Sequence, residues 1–291
     1  MKLGIVLEGG GMRGVFTAGI LDYFLEQGLH IPYVIGVSAG ANNGMSYVSN
    51  QIGRNRVVNI KYIDDKRFLS YGNLLKHGSV FGMDFIFNEI PNELEPFDYE
   101  SFFQSPCKYV LGVTNIQTGQ EEYYDQKTDK ESFWKYLRAS SSLPFIAKKV
   151  TVKGQDYMDG GVHDPIPVHK SIEDGNEFNI VILTQPKGYE KKPSKIVNLA
   201  KLCYSQYPKL PELLKIRHDI YNDTIKDIEK LEKQGNVFVF RPSGEINIDR
   251  MEKSKGTLEL SYEEGYEQAR TKYAELIKWI EENKMISNNI D

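Results

Sequence analysis

The first fifty residues constrain this chain more than any other stretch. Leu3 to Leu7 is a short apolar run bounded by glycine, as expected of a strand covered on both faces. Gly9-Gly10-Gly11-Met12-Arg13-Gly14 follows, and then Phe16, Ile20, Tyr23, Phe24 and Gln27 fall on adjoining helical positions. Gly28 stands where a left-handed glycine would end that helix. A second apolar run, Tyr33 to Val37, leads into Ser38-Ala39-Gly40, and Ala41 to Ser49 reads as helix. Strand, glycine loop, helix, strand, tight turn and helix at this spacing predict a βαβ start with parallel strands and a right-handed crossover.

Later strands are expected at Lys108 to Thr114, Glu122 to Tyr124, Val150 to Val152, Asn179 to Leu183 and Val237 to Phe240. Lys153-Gly154 reads as a turn before Tyr157-Met158-Asp159-Gly160-Gly161. A helical region runs from about Ser194 to Gly235, interrupted near Pro208 and Pro211. The capping-box spacing Ser261-Tyr262-Glu263-Glu264 predicts the start of a last helix reaching about Asn283. With no repeat and no linker in 291 residues, one α/β domain is the economical reading. Its core covers about 2–183 and a helical C-terminal extension about 194–291.

Charge and cysteine content remove several classes of function. Lys+Arg of 36 against Asp+Glu of 40 leaves a net charge of −4, which argues against a nucleic-acid partner. Cys107 and Cys203 form no C-x-x-C, so neither a disulfide framework nor a four-thiolate zinc site is expected. The longest mostly apolar run, Ile31 to Ala41, falls short of the roughly 18 residues of a spanning helix, and Glu8 interrupts the N-terminal apolar stretch. The expected address is cytoplasmic or peripheral at a membrane.

Gly36-Val37-Ser38-Ala39-Gly40 fits G-x-S-x-G, in which a sharp strand-to-helix turn lifts a serine hydroxyl clear of the sheet. Gly9 to Gly14 also fits the dinucleotide fingerprint, but that reading needs an acid at the end of the second strand, where Gly36-Val37-Ser38 stands. The other use of such a loop is to aim backbone N–H groups at a developing oxyanion. A serine nucleophile needs a base. The histidines are His30, His77, His163, His169 and His218; none follows residue 218, and His218 reads as a surface residue of a charged helix. Asp159, flanked by Gly160 and Gly161, is the better candidate, against the alternative of a plain Asp-Gly turn. A metal cluster of Asp159, His163, Asp164 and His169 lacks a known ligand spacing. The aromatic-rich stretch Val80 to Phe103 suits either core packing or the wall of an acyl pocket.

Taken in order, the glycine loop ending in Arg13-Gly14, the G-x-S-x-G and Asp159-Gly160-Gly161 resemble the patatin-like phospholipase family over Lys2 to about Leu183. Ala139-Ser140-Ser141-Ser142-Leu143-Pro144-Phe145 is similar to the family's serine-rich helix end. His163-Asp164 departs from its pattern. The resemblance implies a three-layer α/β fold, with a mostly parallel central sheet, helices on both faces and C-terminal helical additions. It further implies a Ser38–Asp159 dyad acting through an acyl-enzyme, with the N–H groups of Gly10, Gly11 and Met12 as oxyanion hole. Gly9, Arg13, Gly14, Gly36, Gly40, Gly160 and Gly161 would support these motifs. Neither metal nor cofactor is expected. The implied substrate is a phospholipid-type ester, with transient contact at a membrane surface. A carboxylesterase or thioesterase of small acyl substrates, and a non-catalytic lipid-binding protein of the same fold, are the alternatives.

Overall fold

The computed structural model describes residues 2–288. Eight strands form one sheet: β1 (Leu3–Leu7), β2 (Tyr33–Val37), β3 (Lys108–Asn115), β4 (Glu121–Asp125), β5 (Val150–Val152), β6 (Gln155–Asp159), β7 (Phe178–Ile182) and β8 (Val237–Phe240). Their order is β5-β6-β3-β2-β1-β7-β8, with β4 also paired to β3. β3, β2, β1, β7 and β8 run parallel; β4 and β6 join β3 antiparallel, as β5 joins β6.

The unbroken apolar runs follow from burial on both faces. Ile5, Leu7, Val34, Leu111 and Ile180 point to one side, where α1 (Val15–Glu26), α2 (Ala39–Val48), α3 (Lys130–Ser140) and the C-terminal helix pack. Val6, Ile35, Val110, Val181 and Val239 point to the other, against Tyr221 and Ile228 of α4 (Lys209–Lys233). This is the expected three-layer α/β arrangement.

Local signals place most boundaries correctly. Gly28 adopts φ +67° just after α1, and Gly235 adopts φ +80° just after α4. The last helix, α5 (Lys255–Asn288), corrects the expectation drawn from Ser261. Ser254 Oγ accepts the Thr257 N–H and its carbonyl accepts the Leu258 N–H, so the helix starts nearly two turns earlier. Ser261 is buried inside it. The reason is tertiary: Gly265 lies so near the Phe16 carbonyl, and Gly19 so near the Tyr262 carbonyl, that a Cβ at either would collide with backbone. Helices α1 and α5 interlock there. A further helix, Phe85–Leu94, is wound in the wide π form.

The register of β3 brings two chain ends together. β2 pairs with β3 up to Val37 opposite Gly112 and then leaves the sheet. Val113 and Thr114 already pair with β4 on one edge, so β6, which pairs with Val113 to Asn115, occupies the edge β2 has vacated. Asp159 faces Val113, one residue beyond the partner of Val37.

Candidate active site

Ser38 occupies the turn between β2 and α2 with φ 55° and ψ −121°, a conformation that costs an L-residue about 1–3 kcal/mol and survives only where its surroundings hold it. The surroundings do. Ser38 N–H donates to Ser140 Oγ at 2.9 Å, and that hydroxyl donates to the Gly112 carbonyl at 2.7 Å. Asn42 Nδ2 donates to the Ser38 carbonyl and to Ser141 Oγ, both at 2.9 Å. Gly36 and Gly40 are needed for space: a Cβ at Gly36 would sit 2.6 Å from the Gly40 carbonyl carbon, and one at Gly40 would strike the Leu7 carbonyl.

Asp159 ends β6 and is buried. Its N–H donates to the Ser142 carbonyl at 2.9 Å, so the Ser140–Ser142 run at the end of α3 secures both Ser38 and Asp159. Asp159 Oδ1 accepts the Gly161 N–H at 2.8 Å, while Oδ2 has no partner of full hydrogen-bond geometry. Burial pushes this carboxyl up to about 6; the Ser38 hydroxyl, the Gly161 N–H and the cations of Arg217 and Arg250 work in the opposite direction. The Asp-Gly-Gly stretch therefore places its carboxylate beside the serine. Gly160 and Gly161 permit this: a Cβ at Gly160 would collide with the Gly112 carbonyl.

The glycine loop forms a 3₁₀ turn over Gly11–Gly14 that feeds α1, tied to α2 by Asn43 Nδ2 donating to the Gly14 carbonyl at 2.7 Å. Gly9 N–H donates to the Pro165 carbonyl at 3.1 Å. Met12 N–H donates to the Arg250 carbonyl at 3.0 Å. Of the three amides expected to form an oxyanion hole, Met12's is thus engaged, and those of Gly10 and Gly11 carry no acceptor among the described residues. The expectation of three available donors is reduced to two in this conformation.

Ser38, Gly11 and Met12 lie on the wall of a cleft of about 1170 Å³ otherwise lined mainly by Phe68, Phe81, Met83, Ile86, Phe87 and Leu137. The Val80 to Phe103 stretch divides between the core and the wall of this cleft. Phe85, Ile90 and Phe102 are buried in the core, whereas Phe81, Ile86, Phe87 and Phe97 face the cleft.

Two residues that no motif announces reach the site. Arg217 of α4 donates its Nε–H to the Gly161 carbonyl at 2.5 Å, and Arg250 meets the glycine loop. Arg217 had a readable signal: it shares the helical spacing of Leu210, Leu214, Tyr221, Thr224 and Ile228, the buried face of α4. His218 is also corrected: instead of lying free on the surface, its side chain is 20% exposed and lines a cavity beside Arg217. The residues weighed for a metal are drawn to separate partners, His163 to Glu121, Asp164 to Tyr123 and His169 to Asp227. No group of three His, Cys, Asp or Glu able to hold a metal ion occurs among the described residues.

The family model for patatin-like phospholipase matches residues 5–172, more than half of the chain. The chain belongs to the patatin-like phospholipase family. That membership places it among hydrolases of lipid esters and agrees with the three-layer fold. A second model, a domain of unknown function called DUF6363, matches residues 207–281. The Escherichia coli (strain K12) protein YjjU is 28% identical over 256 residues, covering 83% of this chain and 68% of YjjU. Lysophospholipase nte1 of Emericella nidulans is 25% identical across 91% of this chain, which spans only 18% of that protein. Among solved structures, VipD from Legionella pneumophila aligns with a TM-score of 0.48 at 15% identity, over 93% of this chain and 66% of that one.

Proposed function

We propose that this protein hydrolyses the carboxylic esters of phospholipid-type substrates through a Ser38–Asp159 dyad. In this reading the acyl chain lies along the apolar cleft and the ester carbonyl rests between Ser38 and the glycine loop. Ser38 Oγ attacks the carbonyl carbon while its proton passes to Asp159 Oδ2. The N–H groups of Gly10 and Gly11 stabilise the negative oxygen, and the N-terminus of α2 adds a favourable field at the serine. Collapse breaks the ester C–O bond, and the alcohol leaves with the proton from Asp159. An acyl-enzyme ester on Ser38 remains. Water, giving its proton to Asp159, attacks the acyl carbon; the acyl C–Oγ bond breaks, the fatty acid leaves, and Asp159 returns the proton to Ser38 Oγ.

One observation carries the reading: a strained serine beside a buried carboxylate whose second oxygen is otherwise unpartnered, on the wall of an apolar cleft. An ordinary carboxylate is a weak base, and burial makes this one stronger, which is what the dyad requires. The name of nte1 favours a lysophospholipid as substrate, and lipid drawn from a membrane surface would enter past Phe81 and Phe87. No helix among the described residues is long and apolar enough to cross a membrane. We place the reaction in the cytoplasm, at that surface.

The test is mass spectrometry of the intact protein after treatment with a fluorophosphonate. A single adduct mapped to Ser38, together with fatty-acid release from a lysophospholipid, supports the proposal. An unmodified Ser38 and no release, with lipid still bound, would favour the non-catalytic binding reading.

A further inference from the structure

Beside the acyl cleft lies a second cavity of different character. Its volume is about 800 Å³, and it shares Leu143, Ile146 and Arg250 with the cleft. Its polar wall carries the cations Lys191, Lys192, Arg217 and Arg250, with His218 and Ser194 beside them. Arg217 joins this cavity to the Asp159-Gly160-Gly161 loop, since its Nε–H donates to the Gly161 carbonyl.

Most arginines elsewhere carry a counter-charge, Arg13 and Arg54 being exceptions among the described residues, and in this cavity Lys192 is paired with Glu190. Arg56, Arg67, Arg138, Arg241 and Arg270 each form an ion pair with a carboxylate. Among the described residues Lys191, Arg217 and Arg250 form none, and all three are half-buried. Burial together with the charges of Arg217 and Arg250 pushes the Lys191 ammonium down to about 7. Glu8, Asp159 and Asp249 oppose the group only at longer range. Like charges gathered in a low-dielectric pocket without counter-charge are unfavourable unless an anion completes the site.

The pocket is also built rather than incidental. Asn222 of α4 clasps the Lys191 backbone in both directions, its Oδ1 accepting the Lys191 N–H at 2.9 Å and its Nδ2 donating to the Lys191 carbonyl at 3.0 Å. The Lys191 ammonium sits 4.3 Å from the centre of the Tyr221 ring. Guanidinium and ammonium groups converging from different segments suit a phosphate oxygen cluster.

We propose that Lys191, Arg217 and Arg250 form a phosphate subsite that binds the phosphodiester of the lipid head group while the acyl chain occupies the neighbouring cleft. All three residues lie beyond residues 5–172, and two fall within the 207–281 stretch of unknown function, to which the proposal gives a role. It deepens the lipid-esterase reading by naming what distinguishes a phospholipid from a neutral ester there.

Two measurements keep the proposals separable. Glycerol 3-phosphate is titrated calorimetrically into the Ser38→Ala protein, which needs no dyad chemistry. Binding that is lost in Ser38→Ala/Lys191→Met and retained in Ser38→Ala/Lys191→Arg supports the subsite; equal binding by all three overturns it, whatever the fate of the dyad. In the Ser38 enzyme, hydrolysis of a lysophospholipid is compared with that of a monoacylglycerol of matched chain. Lys191→Met should lower the ratio of their kcat/KM values by about tenfold, the effect of one lost charged hydrogen bond. An unchanged ratio, with inorganic phosphate altering monoacylglycerol hydrolysis in a Lys191-dependent way, would indicate a free-phosphate site and overturn the head-group assignment.

Discussion

Val37 and Asp159 occupy successive positions along one edge of β3, opposite Gly112 and Val113. Strand β2 runs into that edge from one end and β6 from the other, so Ser38, just past the tip of β2, comes beside Asp159, at the tip of β6. Ser38 and Asp159, the proposed nucleophile and base, are thus held by backbone ladder bonds, with Ser140 and Ser142 as braces. Removing either functional group should lower ester turnover by roughly 10³-fold or more, as for members of one catalytic unit. Steady-state assays of Ser38→Ala and Asp159→Asn check this, and full activity in either purified variant would refute the dyad.

The pH profile should report the base. With Asp159 titrating at about 6, kcat/KM is expected to rise with pH through that value and level off above it. The Arg217 cation favours the charged carboxylate, so Arg217→Met should move the rising limb to higher pH. A loss of rate in that variant with the limb unmoved would limit Arg217 to shaping the Gly161 loop.

Activity and stability should diverge at Asp159. The folded value of about 6 lies above the ordinary 3.8, so the folded state holds the proton more tightly than the unfolded chain does. That contribution to stability is fully present below about pH 4 and is lost as pH rises through 6. Asp159→Asn removes the buried charge while keeping an acceptor for the Gly161 N–H. It should therefore stabilise the protein at pH 8 by up to about 3 kcal/mol, and little below pH 4. Thermal melts at the two pH values decide.

Ser140 carries no chemistry yet should matter to it. Ser140→Ala frees both the Ser38 N–H and the Gly112 carbonyl inside the core, a loss of about 1–3 kcal/mol in stability. We expect kcat to fall while KM changes little, because the cleft wall is untouched. Denaturant titration and kinetics on one preparation test both parts.

The cleft should measure acyl length. Ile86 is half-buried on its wall, and Ile86→Trp adds bulk where a chain would lie. Turnover of a sixteen-carbon ester should drop by about tenfold relative to a four-carbon ester, as lost burial of a few methylenes predicts. Parallel losses on both would mean that the chain lies elsewhere.

Much of this was legible from residue order because the signals are local. An apolar run covered on both faces reads as a strand wherever it occurs, and β1, β2, β5 and β8 lie where their residues predict. Gly36 and Gly40 announce a turn with no room for side chains. What stayed hidden depends on partners far along the chain. Nothing near Asp156 or Tyr157 shows that β6 will complete an edge begun by β2. Nothing beside Ser261 shows that Gly19 will let α5 settle against α1 and begin at Lys255. Arg217 sat in plain view at a buried helical position, but its charge disguised it as surface. The engagement of Met12 N–H by Arg250 could not be read from a loop pattern written entirely within residues 9–14.

The Arg250 carbonyl that caps Met12 N–H ties the opening loop to a stretch more than two hundred positions downstream, and β8 and α5 secure that return on either side. The two matched segments are therefore not interchangeable modules. Grafting a foreign tail onto the first, or transplanting the second to another scaffold, should leave the glycine loop without its brace, so recombination between distant relatives ought to succeed only when both pieces travel together.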